Sequence, residues 1–464
     1  MNRGTYTLVL RAVAPLLWAH MAWSAWRSHT DWGVLSRERF GHDLTASNVP
    51  RADPATDTAR QASAERLASV DGHVASVDGR AAFTRSDRPI WVHAVSVGET
   101  RAAEPLIRAL LARGDNVLLT HTTPTGRKIG RAMFSKALEG GQLRQAWMPY
   151  DFPGACQRFL DGHAPRMAIL IEREVWPNMV AACRQAGVPV ALVSARLSER
   201  GQKRSARLGG VLRQAYASLD IVCAQSADDA ARLREAGACH VVVTGNLKFD
   251  VVLDSQQVAR GRVWRDGLAR PVIVLVSTRE GEDRPFAQAL LEKLERDAAG
   301  VRPLIVWVPR HSQRFDEVAA SLSQAGLRSV RRSVSAAPPD GLTQIYLGDT
   351  LGEMAFYLGA ANVAVIGGSF APLGAQNFIE ACAAGVPVIL GPSVYNFQDA
   401  ARDALAQGVV TQVDDVTQAL DLAWKLSSDQ QAQAAFAPQA QAWMAMHVGA
   451  TRRILDAMAC VARG

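Results

Sequence analysis

The sequence predicts an α/β protein built from two doubly wound, Rossmann-like domains facing each other across a cleft. Apolar, β-branched runs of strand length recur at residues 90–95, 116–120, 167–171, 188–193 and 221–224, separated by amphipathic segments of helix length. After a polar stretch at 248–270 a second series begins, at 272–276, 304–308, 345–347, 363–366 and 388–390. Runs apolar on both faces suit parallel strands covered by helices. A chain of 464 residues with 48% apolar content has the material for two such cores. In sheets of this kind ligands bind beyond the carboxyl ends of the strands, so those ends are where functional residues are sought.

The most informative strand end is residues 367–392, GGSFAPLGAQNFIEACAAGVPVILGP. Gly367 and Gly368 allow a sharp turn and close approach of a ligand to the backbone. The polar segment through Asn377 leads into a short helix expected over 378–384, closed by Gly385 and blocked from continuing by Pro387. Glu380 inside this βαβ unit suits a ribose hydroxyl pair. An ordinary crossover with a glycine turn has the same pattern.

Other strand ends carry candidate chemistry. The first strand runs into Ser96-Val97-Gly98-Glu99, which sets Glu99 at the start of a helix. A carboxylate there serves as a general base or simply complements the positive helix end. The third strand is followed by Glu172-Arg173-Glu174-Val175-Trp176-Pro177-Asn178, where two acids directly after a buried strand make one of them a functional candidate. In the second domain Arg310 suits bidentate phosphate binding with His311 as a neighbouring donor, or else a structural ion pair. Ser277, Thr278 and the Gly348-Asp349-Thr350 turn converge on the same edge.

Composition narrows the class. The six cysteines are widely spaced, so neither a disulfide framework nor a zinc site is indicated, and a reducing compartment fits. Up to Asn246 there are 31 Lys and Arg against 22 Asp and Glu, a balance of +9, whereas the remainder carries −2. The basic half therefore points to an anionic surface or substrate, a solvated charged face being the alternative. Residues 5–26 contain Arg11 as their one charge, with Trp18, Trp23 and Trp26 near the end and arginines at 3, 27, 37 and 39 flanking them. We expect a membrane anchor with its link over 1–41; Arg11 and Pro15 weigh against a clean span, and a cleavable signal peptide is the competing reading. Residues 42–88, rich in Ala, Ser, Asp and Arg and carrying ASVDG twice, read as a mobile insertion. Domains are then expected over 89–250 and 251–464, with the last helix packing back on the first.

Eight motifs in fixed order carry a family resemblance: WVHAVSVGET, MPYDFPGACQRFL, IEREVWPN, SARLSER, TGNLKFD, VPRH, LGDTLGE and the 367–392 block ending in AAGVPVILGP. In these, and in RERFG at residues 37–41, the chain resembles the bacterial 3-deoxy-D-manno-octulosonic acid (Kdo) transferases of lipopolysaccharide synthesis. The resemblance implies a GT-B glycosyltransferase fold with an N-terminal membrane-anchoring helix. It also implies inverting transfer of Kdo from CMP-Kdo to a lipid A precursor (lipid IVA), without metal or other cofactor, on the cytoplasmic face of the inner membrane. No nucleic acid partner is expected. By motif matching, Glu99 would be the general base and Glu174 the second important acid of the acceptor domain. Arg310, beside His311, would hold the CMP phosphate, and Asn377 and Glu380 would contact the nucleotide. Ser277, Gly348, Asp349, Gly368 and Ser369 would line the donor pocket.

The chain departs from the family at Ala375-Gln376, where Gly-His is usual, at Arg279, where His is usual, and at Arg173, where Thr is usual. Arg279 would set a permanent charge where the Kdo carboxylate needs a donor. A UDP-sugar enzyme of the same fold and an inactive lipid-binding homologue are the other classes; the SVGE and PRH motifs argue against the first and Glu99 against the second.

Overall fold

The computed structural model describes residues 1–28, 32–42, 88–199, 201–203, 209–297 and 301–461; the expected insertion, in its part 43–87, lies outside them. The chain forms two compact units, Met1–Leu247 with Ala450–Gly464, and Lys248–Gly449. The boundary thus falls a few residues before the expected one, and the chain's end belongs to the first unit.

The first unit holds seven parallel strands: β1 (Ile90–His93), β2 (Val117–His121), β3 (Leu143–Trp147), β4 (Met167–Ile171), β5 (Val190–Ala195), β6 (Ile221–Ala224) and β7 (Val241–Val243). Their order is β3-β2-β1-β4-β5-β6-β7, so the direction of winding reverses between β1 and β4. Helices described in this unit include α1 (Arg3–Ser28), α2 (Val97–Ala112), α3 (Pro124–Met133), α4 (Ser135–Glu139), α5 (Pro153–His163), α6 (Pro177–Gln185), α7 (Gly210–Ala217) and α8 (Ala227–Glu235). The central strands are buried on both faces, as their continuous apolar runs require.

The second unit repeats the plan with β8 (Val272–Thr278), β9 (Leu304–Pro309), β10 (Ser329–Arg331), β11 (Ile345–Leu347), β12 (Val363–Ile366), β13 (Val388–Leu390) and β14 (Val410–Gln412). The order β10-β11-β9-β8-β12-β13-β14 places the reversal between β8 and β12. Its helices are α9 (Ser255–Asp266), α10 (Asp283–Arg296), α11 (Phe315–Gln324), α12 (Met354–Ala360), α13 (Ile379–Ala383), α14 (Gln398–Ala406), α15 (Val416–Ser428) and α16 (Gln430–His447). The final helix, α17 (Ala450–Val461), returns to the first unit, where Ile454 and Met458 enter the core beside Ile107 and Ile221. Each sheet is sandwiched between two apolar clusters, one per face.

Helix α1 is apolar and long enough to cross a membrane by length and composition. One side of it packs on the first unit. The Tyr6 hydroxyl donates to Asp151 at 2.9 Å, Thr7 exchanges hydrogen bonds with Asn178, Ala14 is buried, and Trp18 packs on Phe40 and Tyr150 at 5.6 and 5.5 Å between ring centroids. The opposite side exposes Leu8, Val9, Leu16, Leu17, Trp23 and Trp26. The RERF turn that follows ties the anchor down. Glu38 accepts from the Trp147 amide at 2.9 Å, and the fully buried Arg39 donates to the carbonyls of Trp32 and Thr122 while lying over the Trp147 ring.

Three histidines of the first unit are buried: His93, His121 and His163. Burial pulls His93 down to about 3, helped by His121, and pulls His121 and His163 down to about 4. Among the described residues neither ring nitrogen of His163 has a hydrogen-bond partner. Each imidazole is neutral in the folded unit and gains a proton more readily when unfolded, so its contribution to stability is complete above about pH 6.5 and is lost as pH falls toward 4. Each histidine should therefore cost about 1.4 kcal/mol per pH unit within that window. His163→Leu should flatten the fall in unfolding free energy between pH 6.5 and 4.5, measured by denaturant titration; an unchanged slope would show that His163 does not titrate with folding.

Candidate functional site at the two strand reversals

In the first unit, the reversal lies between the ends of β1 and β4, and Glu99 and Glu174 follow those two strands. Glu99 occupies the first turn of α2, and its carboxylate accepts the Val95 amide at 2.5 Å. The turn carrying it is fastened from below. His121 Nδ1 meets the Ala94 carbonyl at 3.0 Å, the Thr123 hydroxyl donates to the Val95 carbonyl at 3.0 Å, and the Thr100 hydroxyl to the Ser96 carbonyl at 2.8 Å. Glu99 itself remains partly exposed.

The two acids after β4 have different surroundings. Glu172 is buried, with φ +60°, and accepts from Arg196 at 2.8 Å, so it belongs to the framework that holds the strand end. Glu174 is partly exposed and receives the Trp176 indole N–H at 3.0 Å. Burial raises its pKa; the Trp176 hydrogen bond and Arg173 pull the other way, and the nearby Glu172 charge adds to the rise. A third acid, which sequence reasoning passed over, organises the neighbourhood. The buried Asp151 accepts the first amides of α6, Asn178 at 3.2 Å and Met179 at 2.8 Å, as well as the Tyr6 hydroxyl. It stands in the MPYDFPGACQRFL motif, whose Asp-Phe-Pro offers no sign that its partner lies some thirty residues on.

In the second unit the reversal lies between β8 and β12, and the expected donor residues gather at the carboxyl ends of that sheet. Gly367 is pressed against the β8 end: a Cβ there would stand 2.6 Å from the Ser277 carbonyl oxygen. Gly368 follows with φ +71°, and Ser277 itself takes φ +58°. Arg310 and His311 directly follow β9, and the Arg310 amide donates to the Thr278 carbonyl at 3.0 Å. Both side chains are partly exposed. Burial, Arg279 and Arg310 lower the His311 pKa, only partly opposed by Glu280, so a neutral imidazole is favoured.

The remaining expected residues divide between open and enclosed positions. Asn377 and Glu380 are partly exposed and joined, Asn377 Nδ2 donating to Glu380 at 2.9 Å. Ser369 is fully buried, its hydroxyl donating to the Ile366 carbonyl at 2.5 Å and accepting the Gly391 amide at 2.8 Å. Asp349 is likewise buried, accepting from Arg331 at 2.6 Å and from the Ser333 amide at 2.8 Å. Burial would raise its pKa, but the Ser333 hydrogen bonds and Arg331 prevail, and the carboxyl is held below the usual carboxylate range. Gly348 packs against the Tyr357 ring, where a Cβ would come within 2.9 Å. In this geometry Ser369, Asp349 and Gly348 shape the strand ends, while Arg310, His311, Asn377 and Glu380 are the side chains that reach outward.

The residue that fastens these loops together is Glu282, to which the sequence reading gave no role. It is 1% exposed, and its carboxylate accepts four backbone amides: Arg279 at 2.8 Å, Gly368 at 2.7 Å, Phe370 at 3.1 Å and Ala371 at 3.3 Å. The loop after β8 and the loop after β12 are thereby joined through one buried anion. Beside it the buried Arg314 pairs with Asp283 and donates to the Thr278 carbonyl at 3.1 Å. The sequence context of Glu282, a glutamate entering a helix a few residues past a strand, gave little warning. Among the described residues, no group of three or more His, Cys, Asp or Glu side chains comes together as a metal site.

Comparisons with known proteins place these observations. Residues 61–251 match the family signature described as 3-Deoxy-D-manno-octulosonic-acid transferase (kdotransferase). The chain is 50% identical over 458 residues to the 3-deoxy-D-manno-octulosonic acid transferase of Bordetella pertussis, covering 99% of both chains. It is 30% identical to the enzyme of the same name from Haemophilus influenzae, over 72% of this chain and 78% of that one. Among solved structures, a glycosyltransferase from Rickettsia africae matches with a TM-score of 0.53 at 12% identity, over 80% of this chain and 97% of that one. A UDP-bound protein from Anabaena matches with a TM-score of 0.52 at 14% identity, over 81% and 100%. These two likenesses concern the fold, two parallel sheets clad in helices as in GT-B glycosyltransferases. The chain belongs to the 3-deoxy-D-manno-octulosonic acid transferase family.

Proposed function

We propose that the protein transfers Kdo from CMP-Kdo to a lipid A precursor such as lipid IVA, with inversion at the anomeric carbon and release of CMP. The observation that carries this reading is the 50% identity, over 99% of both chains, to a protein named for Kdo transfer. The geometry supports it by setting two carboxyl groups at the reversal of the first sheet and a cationic, donor-rich edge at the reversal of the second.

On this reading Glu99 takes the proton from the acceptor hydroxyl as that oxygen attacks the anomeric carbon. The Val95 amide orients one carboxylate oxygen, and the bonds to the Ala94 and Val95 carbonyls hold the turn that carries the residue. Glu174, the second carboxyl group at this edge, is oriented by the Trp176 indole N–H and faces the acceptor. The sugar–phosphate bond breaks and the electron pair leaves with CMP as a phosphate monoester. Arg310 meets that charge, with a neutral His311 as an added donor, so this chain's own side chains suffice and no metal is required. Asn377 and Glu380, already hydrogen-bonded to one another, receive the nucleotide's ribose.

The exposed apolar side of α1 and the basic first half fit work at the cytoplasmic face of the inner membrane, where acyl chains of the acceptor stay in lipid while its phosphates meet cations.

Mass spectrometry of lipid IVA incubated with CMP-Kdo and the full-length protein should show added Kdo; no adduct with CMP-Kdo, alongside transfer from another nucleotide sugar, would reassign the donor. Glu99→Gln keeps the shape but not the proton acceptance, so turnover should drop by about 10²–10⁴ with CMP affinity retained. Near-normal turnover in that variant would remove Glu99 from the role of base.

A further inference from the structure

We propose that a pocket walled by α1 and the start of α5 binds the phosphate-bearing headgroup of an anionic membrane glycerophospholipid. This goes beyond the transfer reaction and does not depend on it. The pocket encloses about 320 Å³ and is lined by Arg11 and Trp18 of α1, by Phe40, and by Phe152, Ala155 and Arg158. Two arginines thus line one small space, and among the described residues no carboxylate lines it with them. Arg158 is fixed: its Nε and Nη2 both donate to the Phe40 carbonyl, at 3.0 and 2.6 Å. Among the described residues nothing forms a hydrogen bond or ion pair with Arg11, or with Nη1 of Arg158. Both arginines are solvent-exposed at the pocket mouth, and an anion held there by the two of them gains charge-assisted hydrogen bonds.

The rest of the pocket says what carries the anion. Trp18 lies edge-on to Phe40 at 5.6 Å and to Phe152 at 6.3 Å, so the floor is aromatic. Leu8, one turn before Arg11, is 72% exposed. Arginine, tryptophan and an exposed apolar helix side meeting at one place is the composition of a site at the headgroup level of a bilayer. The lipid phosphate would sit between Arg11 and Arg158, and an acyl chain would run out along the apolar side of α1. Arg11, costly in the middle of a spanning helix, here has a use: it marks the depth at which α1 meets the headgroups.

The test uses the full-length protein in a non-ionic detergent, titrated calorimetrically with the water-soluble probe dihexanoyl phosphatidylglycerol. One saturable site per chain is expected. Arg11→Gln with Arg158→Gln should weaken binding by about tenfold or more, since two charge-assisted contacts are lost. Arg11→Lys should retain most of it. Ala155→Trp, which fills the pocket without changing charge, should also abolish binding, and melting curves establish that each variant is folded. Dihexanoyl phosphatidylcholine binding equally well would overturn the requirement for an anionic lipid. Inorganic phosphate binding as tightly as the lipid would make this a soluble-anion site, and undiminished phosphatidylglycerol binding in the folded arginine double variant would place the lipid elsewhere. Displacement of the probe by lipid IVA, with a matching rise in acceptor KM in the double variant, would give the pocket to the acceptor and overturn the proposal.

Discussion

The second unit depends on one buried carboxylate. A parallel sheet presents its ligand-binding edge as a row of loops, and loops after parallel strands have no hydrogen-bond ladder to hold them. Glu282 supplies that hold by accepting amides from residues on both sides of the reversal, Arg279 on one and Gly368, Phe370 and Ala371 on the other. Several backbone N–H groups that would otherwise be buried without partners are satisfied together by the carboxylate that orients the loops. The glycine pair makes this possible: Gly367 lets the β12 end touch the β8 end, and Gly368 turns its N–H toward the carboxylate. Arg310, which follows the adjacent strand and is itself tied to Thr278, is therefore positioned on an edge that cannot easily rearrange.

The first unit solves the same problem with other groups. Asp151 accepts the leading amides of α6, and Glu172 with Arg196 secures the end of β4, leaving Glu174 to face outward. On the β1 side, His121, Thr123 and Thr100 each engage a carbonyl of the turn before Glu99. In both units the groups that reach outward rest on polar residues that are spent on backbone atoms. Positive φ at Glu172 and Ser277 falls at these strand ends, where such conformations cost of order 1–3 kcal/mol and persist only because the surroundings fix them. Asp151 also receives Tyr6, so in this unit the framework that shapes the strand-end edge is continuous with the seating of α1.

The central strands and the reversal-point residues were legible in the sequence because double burial leaves a continuous apolar run and a glycine or an acid at its end. The strands that sequence reading missed, β3, β7, β10 and β14, are the four edges of the two sheets. An edge strand is covered less completely: β3 has two partly exposed positions, Ser329–Arg331 is partly exposed throughout, and β14 reads Val-Thr-Gln with its last two residues exposed. Among the expected donor residues, the backbone and outward groups were accessible from pattern, whereas Ser369 and Asp349 turned out to be enclosed, which spacing cannot distinguish. Glu282 and Asp151 escaped notice for the same reason. A buried carboxylate that accepts amides from distant loops has the same local sequence as a solvated one, and only the tertiary fold tells them apart.

If the loops joined by Glu282 form the nucleotide site, CMP affinity must depend both on that carboxylate and on the cation beside it. Calorimetric titration of CMP into the full-length protein, into Glu282→Gln and into Arg310→Ala tests this directly, with the melting curve of each variant as the control for folding. CMP should bind the parent chain, where UDP does not. It should bind each variant at least about tenfold more weakly. Glu282→Gln puts an NH₂ group where one of the two accepting oxygens stood, so buried backbone amides lose their partner, and Arg310→Ala removes the phosphate-binding cation. Parent-like CMP affinity in both folded variants would contradict the account and move the nucleotide away from this edge.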